Sequence, residues 1–300
     1  MQKQNEVAKQ PLSILVTGGT GFIGRHLVNR LLQNGHDVIV YDNFSTSKKE
    51  PMGTAKIVEG DVRDRDDVLR AAKGCDYIFH LAAVTETRST DDDAVYSVNF
   101  IGSKNVFEVA KEIGAKIIFT SSAAVYGEAK IAKEDDPCNP LNQYGKSKLR
   151  AEKICPDGSF VVRLFNVYGP DGHGVVNKFC KLIPKYEDVT VFGHGTQTRD
   201  FIYVDDVVSA LLLGMENNGV YNVGTGKETS LLEVIDIIHN MTKSKPTIKF
   251  APPLQEIQRS KADITKIMPT GWRPRVELPD GIELVLKSQG FDFETIRHLK

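Results

Sequence analysis

The chain has 300 residues, of which 41% are hydrophobic and 26% are charged, proportions that are typical of an ordinary globular protein. Lysine and arginine total 38 against 39 aspartate and glutamate, so the net charge of −1 gives no global field that would attract nucleic acid or an anionic membrane. The polar first ten residues lack the apolar core of a signal peptide, and no apolar run reaches the roughly 18 residues of a membrane span. Four scattered cysteines predict reduced thiols and a cytoplasmic protein.

Short apolar runs that suit buried strands alternate with amphipathic runs that suit helices as far as residue 166. The predicted strands are 12–18, 36–42, 55–64, 75–83, 115–122 and 159–169, and the predicted helices are 22–35, 66–74, 91–114 and 142–155. This alternation predicts parallel strands joined by right-handed crossovers, with helices on both faces. The fold class is therefore α/β, with a Rossmann-type doubly wound parallel sheet.

The pattern loosens after residue 169, where helices are predicted at 175–186, 206–217 and 230–242 and short strands at 189–192 and 220–224. We predict a Rossmann-type domain over 11–168, to which about 193–214 returns, and a smaller α/β domain made mainly of 169–300. No Gly/Ser linker separates the two halves, so we expect one tight interface with a cleft.

A glycine pattern follows the first strand in "VTGGTGFIG", which contains Gly19-x-Gly21-x-x-Gly24 and equally Gly18-x-x-Gly21-x-x-Gly24. It lies between a buried strand and an amphipathic helix, which is the context that a dinucleotide site requires. The glycines permit a tight turn and a close approach to pyrophosphate, and the helix N-terminus supplies free N–H groups. The alternative is a glycine-rich turn without a ligand.

Acidic residues end the second and third strands. Asp42 lies 18 residues after the last glycine, close to the spacing of an acid that binds a ribose 2′-hydroxyl, and it would repel a 2′-phosphate. NAD is therefore favoured over NADP, although Lys48 and Lys49 follow farther along the loop. Asp61 can accept from an adenine amino group; alternatively it caps the next helix, a role that Asp64 can also fill.

Tyr144 and Lys148 are four residues apart, so both project from one helix face. A phenol has a pKa near 10, and a neighbouring ammonium stabilises the phenolate and lowers that pKa. Ser122, which ends the fifth strand in "TSS", can complete the site by donating to a substrate oxygen. The pair alone is more often structural, but behind a nucleotide-binding half it predicts a general base.

Motifs along the chain, from residue 12 to about 290, share a family likeness: "TGGTGFIG", "YDN", "GDVRD", "HLAA", "VN" at 98–99, "SSAAVYG", "YGKSK", "RLFNVYGP", "GTQTRDFIYVDD", "YNVGTG" and "ADITK". The chain resembles the extended short-chain dehydrogenase/reductases of the NAD-dependent nucleotide-sugar epimerase/dehydratase family, above all its UDP-glucose and UDP-N-acetylglucosamine 4-epimerases. The resemblance implies NAD in the N-terminal half and a nucleoside-diphosphate sugar in the C-terminal half.

The resemblance also implies roles for individual residues. Tyr144 is the base, Lys148 is its pKa partner and an NAD ribose ligand, and Ser122 lies beside the sugar 4-hydroxyl. The implied cofactor residues are Gly18, Gly21, Phe22, Ile23, Gly24, Asp42, Asn43, Asp61, Val62, Leu81, Ala82, Ala83, Asn99, Tyr144 and Lys148. The implied substrate residues are Ser122, Tyr144, Asn166, Val175, Val176, Phe192, Arg199, Glu256 and Ser260. No metal site is expected.

Several substrate residues have a chemical reason of their own. Arg199 can clamp a pyrophosphate because a guanidinium matches phosphate geometry; alternatively it forms a surface ion pair with Asp200. The Asn166 amide can donate to a phosphate oxygen. Phe192 matches the position against the base, although such a phenylalanine is more often part of a core.

The chain departs from the family at "PLQE", residues 253–256, where similar epimerases carry Arg-x-Gly-Asp. Glu256 can replace the acid as a ribose acceptor, but Pro253 stands at the arginine position. Arg259 can compensate for the missing phosphate contact. In the loop at 84–93, Arg88 and Ser89 are further candidate contacts.

The reaction is indicated by Ala123 and Ala124. Similar dehydratases carry an Asp-Glu pair there, decarboxylases keep the Glu, and double epimerase/reductases need a cysteine at this strand end. A methyl group can neither donate nor accept a proton, so elimination is disfavoured. The remaining chemistry is C4 epimerisation of UDP-glucose or UDP-galactose. The alternatives are another nucleotide-sugar epimerase, a 4-keto reductase, or an NAD-sensing scaffold without activity.

Two further expectations come from the resemblance. A bulky residue at the position of Ser260 excludes N-acetyl groups in some relatives, so the small serine predicts that UDP-GlcNAc and UDP-GalNAc are accepted; alternatively Ser260 is ordinary exposed loop. A homodimer is expected, with an interface formed by helices around 94–112 and 143–155.

Overall fold

A central sheet of seven parallel strands organises the protein. The computed structural model describes residues 10–85, 91–253 and 257–293. The strand order is β11-β6-β5-β4-β1-β2-β3. These strands are β1 (Ser13–Thr17), β2 (Asp37–Asp42), β3 (Lys56–Glu59), β4 (Tyr77–His80), β5 (Lys116–Ser122), β6 (Phe160–Leu164) and β11 (Gly219–Val223). The predicted doubly wound parallel sheet is therefore confirmed.

Helices cover both faces of the sheet and fill the C-terminal part. They are α1 (Phe22–Gln33), α2 (Arg65–Ala72), α3 (Asp92–Tyr96), α4 (Ser103–Ile113), α5 (Gln143–Ile154), α6 (Val175–Leu182), α7 (Val204–Leu213), α8 (Leu231–Thr242) and α9 (Leu278–Ser288). A π-helical turn, Ser97–Gly102, joins α3 to α4. Short 3-10 turns span Ala123–Val125, Ile183–Lys185 and Met268–Thr270.

Three two-stranded sheets lie outside the central one. β7 (Asn166–Tyr168) and β10 (Phe201–Tyr203) pair in parallel, as do β8 (Val189–Phe192) and β13 (Ile248–Ala251). β9 (Thr198–Arg199) and β12 (Thr229–Ser230) pair antiparallel.

Alternate side chains of the strands supply two layers of core. Ile14 and Val16 of β1 pack with α1 and α7 on one face, while Leu15 packs with α2 and α4 on the other. This alternation follows from the two-residue repeat of a strand, and both faces are apolar because both are covered by helices. A further core joins α6, α8 and α9 around residues such as Phe179 and Ile238.

The structure differs from the sequence expectations in the C-terminal half. The predicted strand 159–169 is two strands, because after Leu164 the chain leaves the central sheet and pairs with β10. β11 lies in the central sheet beside β6. The segment that returns to the first domain therefore extends beyond the predicted range 193–214. β10, β13 and α9 were not predicted, because their apolar runs are short or irregular. The domain boundaries stay a prediction.

Three residues with predicted contacts, Arg88, Ser89 and Glu256, lie outside the described residues. In the part of the chain that is described, no helix is both long and apolar enough to cross a bilayer.

Candidate active site

The carboxyl ends of the central strands bring the predicted residues to one edge of the sheet. Thr17, the last residue of β1, pairs with His80, the last residue of β4. Ser122, which ends β5, pairs with Leu164 at the end of β6. In an open parallel sheet, ligands bind at this edge, where the strand order reverses. The glycine turn, the loop after His80 and Ser122 therefore open into the same region.

The glycine turn packs tightly against its neighbours because side chains are missing where backbones meet. A Cβ on Gly18, which has φ +68°, would lie 2.7 Å from the Ala82 nitrogen. A Cβ on Gly24 would lie 2.2 Å from the Gly18 carbonyl oxygen. Helix α1 starts after Gly21, and within the described residues no side chain caps it. Its first N–H groups are available, so the turn fits a pyrophosphate.

Asp42 is placed beside the glycine turn. Its carboxylate accepts from the backbone N–H groups of Thr20 at 3.1 Å and Phe44 at 2.9 Å, and it stays partly exposed. These bonds orient the carboxylate while leaving lone pairs for ribose hydroxyls. Lys49 donates to Glu59 at 3.1 Å and is mostly exposed, so it does not neutralise Asp42.

The structure decides which acid caps helix α2, Asp61 or Asp64. Its carboxylate accepts from Arg63 and, at 3.1 Å, from the Asn43 amide. The bonds from Arg63 outweigh burial and lower the pKa of Asp61 to about 2. Asp64 caps α2 by accepting from the Asp67 N–H at 3.0 Å, so the capping role belongs to Asp64. The adenine contact of Asp61 stays a prediction.

Two expected cofactor residues present no exposed side chain. The carboxamide of Asn99, which is 0% exposed, binds the N–H and C=O of Val84 at 2.8 and 2.9 Å. Val62 is buried against Gly102. The Asn99 side chain thus holds neighbouring backbone and the Val62 side chain packs in the interior, and the cofactor contacts expected of these two residues stay a prediction. The other apolar positions of this set are partly exposed: Phe22, Ile23, Leu81, Ala82 and Ala83.

The reactive side chains meet where β5 ends and α5 begins. Tyr144 and Ser122 share a side-chain hydrogen bond. The Lys148 ammonium donates to the Thr120 carbonyl at 2.9 Å and lies 4.9 Å from the centroid of the Phe119 ring. The three predicted catalytic groups are therefore brought together.

The protonation balance differs from the expectation. Burial raises the pKa of Tyr144, and the hydrogen bond with Ser122 opposes that rise only partly. Burial also lowers the pKa of Lys148 to about 7, against the attraction of Glu152. The predicted lowering of the Tyr144 pKa is thus wrong for the protein alone, because desolvation of the phenolate outweighs the hydrogen bond with Ser122.

Ser122 is oriented to donate its proton. Its Oγ accepts from the Ala124 N–H at 3.1 Å, and Ser122 precedes the 3-10 turn that carries both alanines. Since one lone pair is used, the hydroxyl hydrogen can point to Tyr144 or to a substrate oxygen.

Hydrogen bonds gather the predicted substrate residues near the end of β6. The Asn166 N–H donates to the Asp200 carbonyl at 2.9 Å, which places Arg199 next to Asn166. Gln197 donates to the Phe192 carbonyl at 2.9 Å, and Phe192 is partly exposed. The partly exposed Ser260 lies in the segment that follows Gln258, whose carbonyl accepts from Thr198.

Two substrate expectations need correction, and a third stays a prediction. The Val176 side chain is 1% exposed and belongs to the C-terminal core, so a contact of this segment with the base would involve the first-turn N–H groups of α6 or the partly exposed Val175. Arg259 forms an ion pair with Glu228. Its guanidinium is therefore engaged and does not supply the phosphate contact that is missing at Pro253. Asp200 accepts from Thr225, Gly226 and Ala262 and is fully buried, so an exposed ion pair with Arg199 is wrong.

Sequence reasoning missed a buried polar group behind the catalytic helix. Glu152 and Arg163 form an ion pair with side chains 6% and 8% exposed. Arg163 is a charged residue inside an apolar run predicted to be a strand, which was the available signal, whereas Glu152 lies in a mostly polar helical run that gave none. His80 is also fully buried, between Thr17 and Ser103 at 2.7 and 2.8 Å, and burial lowers its pKa to about 3. It is therefore a neutral structural histidine.

The fold and the site define an NAD-dependent enzyme of the short-chain dehydrogenase/reductase type. A sequence profile of that type matches residues 14–224, and the chain belongs to the NAD dependent epimerase/dehydratase family. NAD is the cofactor that this membership and the glycine cradle both support.

Similar proteins include enzymes of more than one activity. The chain is 36% identical over 299 residues to a UDP-glucose 4-epimerase of Mycolicibacterium smegmatis, covering 89% of this chain and 95% of the relative. It is 31% identical over 304 residues to a UDP-N-acetyl-alpha-D-glucosaminuronate decarboxylase of Bacillus cytotoxicus, covering 90% of this chain and 95% of the relative. The crystal structure of Thermotoga maritima UDP-glucose 4-epimerase with UDP-glucose superimposes with a TM-score of 0.86, at 33% identity, covering 96% of this chain and 100% of that one.

Proposed function

We propose that this protein catalyses NAD-dependent epimerisation of a UDP-hexose at C4, through a 4-keto intermediate. The observation that carries the proposal is the composition of the site where β5 ends. Ser122 and Tyr144 are bonded to each other, and the two positions after Ser122 are Ala123 and Ala124. The site therefore has groups for proton transfer at one hydroxyl, while those two positions offer no acid or base for eliminating water.

The chain's own residues would move one proton. The Tyr144 oxygen accepts the proton of the 4-hydroxyl and later returns it, while the Ser122 hydroxyl donates to the same sugar oxygen. NAD, held at the glycine turn after β1, would supply a reversible hydride acceptor for C4, so the cycle would bring no net oxidation of the sugar. The charged form of Lys148, four residues from Tyr144 on the same helix face, would favour the phenolate.

The substrate residues are assigned by the same proposal. Arg199 and Asn166 are neighbours and suit the pyrophosphate, since a guanidinium and an amide both donate to phosphate oxygens. Phe192 is partly exposed and suits the uracil ring. The first turn of α6 adds N–H groups beside them.

The proposal is tested by product analysis with purified protein and no added reductant. We expect NMR to show UDP-galactose and UDP-glucose interconverting to one equilibrium ratio from either side. Release of carbon dioxide from UDP-glucuronate or from its N-acetyl counterpart, with no interconversion of neutral hexoses, would show that the protein is a decarboxylase and not an epimerase. Turnover that requires stoichiometric NADH would indicate a reductase.

Ser260 is proposed to admit N-acetyl groups at C2 of the sugar. It is a small, partly exposed residue in the segment that approaches Arg199 through Thr198. We expect Ser260→Tyr to lower kcat/KM for UDP-GlcNAc by at least about tenfold, because a bulky ring removes the space for the acetamido group. Turnover of UDP-glucose should change by less than about threefold. If N-acetyl turnover survives the substitution, Ser260 is not the gate.

We further propose a cytoplasmic homodimer. Ile101 and Ile154, on the helical segments expected at the interface, are 37% and 42% exposed, and the rings of Tyr96 and Phe100 pack at 5.2 Å beside them. Exposed apolar side chains on adjacent helices suit a second copy of the same surface. A monomeric mass by light scattering at micromolar concentration would contradict the dimer. All four cysteines are free thiols, as a reducing compartment requires.

A further inference from the structure

The catalytic helix α5 is attached to the end of β5 at three successive turns. Tyr144, Lys148 and Glu152 are spaced four residues apart, so they lie on one face of the helix. That face meets residues 120–122 of β5. Tyr144 binds the side chain of Ser122. Lys148 donates to the Thr120 carbonyl at 2.9 Å, and Glu152 accepts from the Ser121 hydroxyl. Each turn of the helix is thus paired with one residue of the strand.

Glu152 is held in place from a second direction by β6. Arg163 donates to its two carboxylate oxygens, at 3.1 Å from Nε and 2.8 Å from Nη2. Both side chains are more than nine-tenths buried. A buried carboxylate is tolerated only where such bonds compensate for the loss of water, so its position is well determined.

The same arginine connects this carboxylate to the substrate side. Arg163 Nη1 donates to the Tyr126 hydroxyl at 2.9 Å, and the Tyr126 hydroxyl donates to the side-chain oxygen Oδ1 of Asn222 at 2.7 Å. The Asn222 amide in turn donates to the Asp263 carbonyl at 3.2 Å. That residue lies in the segment that carries Ser260. A continuous set of buried and partly buried hydrogen bonds therefore joins helix α5 to the segment proposed to face the sugar.

We propose that Glu152 is a positioning residue: it holds α5 in register with β5, so that Tyr144 meets Ser122, and it ties that register to the segment carrying Ser260. The proposal rests on the proposed function, since it assigns the reaction to Tyr144. It also gives Ser121 a role as the strand partner of Glu152.

Besides positioning helix α5, Glu152 acts on Lys148 through its negative charge. The charged and titratable groups around Lys148 are Glu152 on its own helix, Tyr144 one turn away, His80 at the end of β4, and Arg163 on β6 beyond the carboxylate. His80 is neutral, so Glu152 is the charge that favours the ammonium. Activity that needs charged Lys148 falls as pH rises through the pKa of Lys148, and losing Glu152 lowers that pKa.

The test is Glu152→Gln in the NAD-bound protein, which keeps the shape of the side chain and removes its charge. We expect kcat to fall about 10- to 100-fold, with KM changed by less than about threefold and NAD content unchanged. The alkaline limb of the kcat profile should move about one unit towards lower pH, a tenfold change in the charged fraction of Lys148. A purely structural role would not move this limb.

Matched variants separate positioning from folding. Ser121→Ala removes the strand bond but no charge, so we expect kcat to fall without a shift of the alkaline limb. Glu152→Gln with Arg163→Met leaves no unpaired buried charge, and we expect it to regain Tm but not kcat. Val234→Ala removes bulk from the buried face of α8, and should lower Tm with kcat unchanged. Wild-type kcat and pH profile in Glu152→Gln, or wild-type kcat in the double variant, would overturn the proposal.

Failure of the proposed function is distinguishable from failure of this inference. If the wild-type protein converts no UDP-hexose, the epimerase proposal fails, and the phenol pKa of Tyr144 is then followed by NMR of isotope-labelled tyrosine, assigned with Tyr144→Phe. A changed pKa in Glu152→Gln supports the positioning role without any turnover. An unchanged pKa overturns it.

Discussion

Replacing Tyr144 by phenylalanine is expected to lower kcat by about 10²- to 10⁴-fold, the range that general acid–base groups contribute. The substitution keeps the ring and removes the hydroxyl that is bonded to Ser122, so the 4-hydroxyl loses its proton acceptor. Helix α5 should stay in place, because Lys148 still binds the Thr120 carbonyl. We therefore expect unchanged NAD content, measured by releasing and assaying the cofactor, alongside the loss of UDP-galactose turnover.

The matched control is Tyr77→Phe. The Tyr77 hydroxyl donates to the Met215 carbonyl at 3.2 Å from the first residue of β4, at the opposite edge of the sheet. Its loss costs about 1 kcal/mol of stability at most and should leave kcat within about twofold. Near-normal turnover in Tyr144→Phe, with this control behaving normally, would remove the tyrosine from the mechanism.

Replacing Gly24 by alanine is expected to have the second largest effect, a loss of both stability and bound cofactor. The new Cβ would stand 2.2 Å from the Gly18 carbonyl oxygen and 2.7 Å from the Gly19 Cα, and both neighbours are backbone. Helix α1 must move away from the turn, at a cost of about 1 to 3 kcal/mol. The shift displaces the N–H groups that face the pyrophosphate, so we expect purified protein to contain little NAD and to melt several degrees lower.

Gly21→Ala distinguishes a crowded backbone from a crowded ligand. Its Cβ would lie 3.2 Å from the Gly18 oxygen, which an adjustment of a few tenths of an ångström relieves. We expect a Tm near that of the wild type but weaker NAD binding, because Gly21 caps the helix where the pyrophosphate approaches. Wild-type Tm and NAD content in Gly24→Ala would show that the turn does not need the close contact.

Local pattern was sufficient for the N-terminal half of the fold. Each apolar run and each helix between residues 12 and 122 has its own period and its own stop signals, and the alternation leaves one parallel topology. The catalytic set follows from that topology, because parallel strands end at one edge. Gly18, Ser122 and Tyr144 could therefore be placed together before any coordinates were known.

Pairing between distant short segments could not be read from the sequence. β11 has five residues, and nothing local shows that Val220 pairs with Val161 at the edge of the central sheet. The run 159–169 reads as one strand, yet it divides after Leu164, where the Phe165 N–H bonds to the Val223 carbonyl. Such choices depend on contacts far apart in the chain, so periodicity alone does not decide them.

Residue type indicated a site but not the direction of each side chain. Asn99, Val62 and Val176 match the family positions, and the structure turns all three into packed interior. The reason is that one residue type serves both roles: an amide binds backbone as well as ligand, and a valine fills a core as readily as it covers a base. Burial decides between these roles, and burial is a property of the whole fold.

By itself, the sequence determined the α/β class, the dinucleotide turn, the tyrosine–lysine–serine set and the alanines that argue against elimination. Each of these is a short-range pattern of residue type and spacing. Only the tertiary structure decided that burial, rather than Lys148, dominates the pKa of Tyr144, and that Glu152 and Arg163 stand behind the catalytic helix. Desolvation and the pairing of buried charges depend on neighbours from separate strands and helices, and those neighbours exist only once the chain has folded.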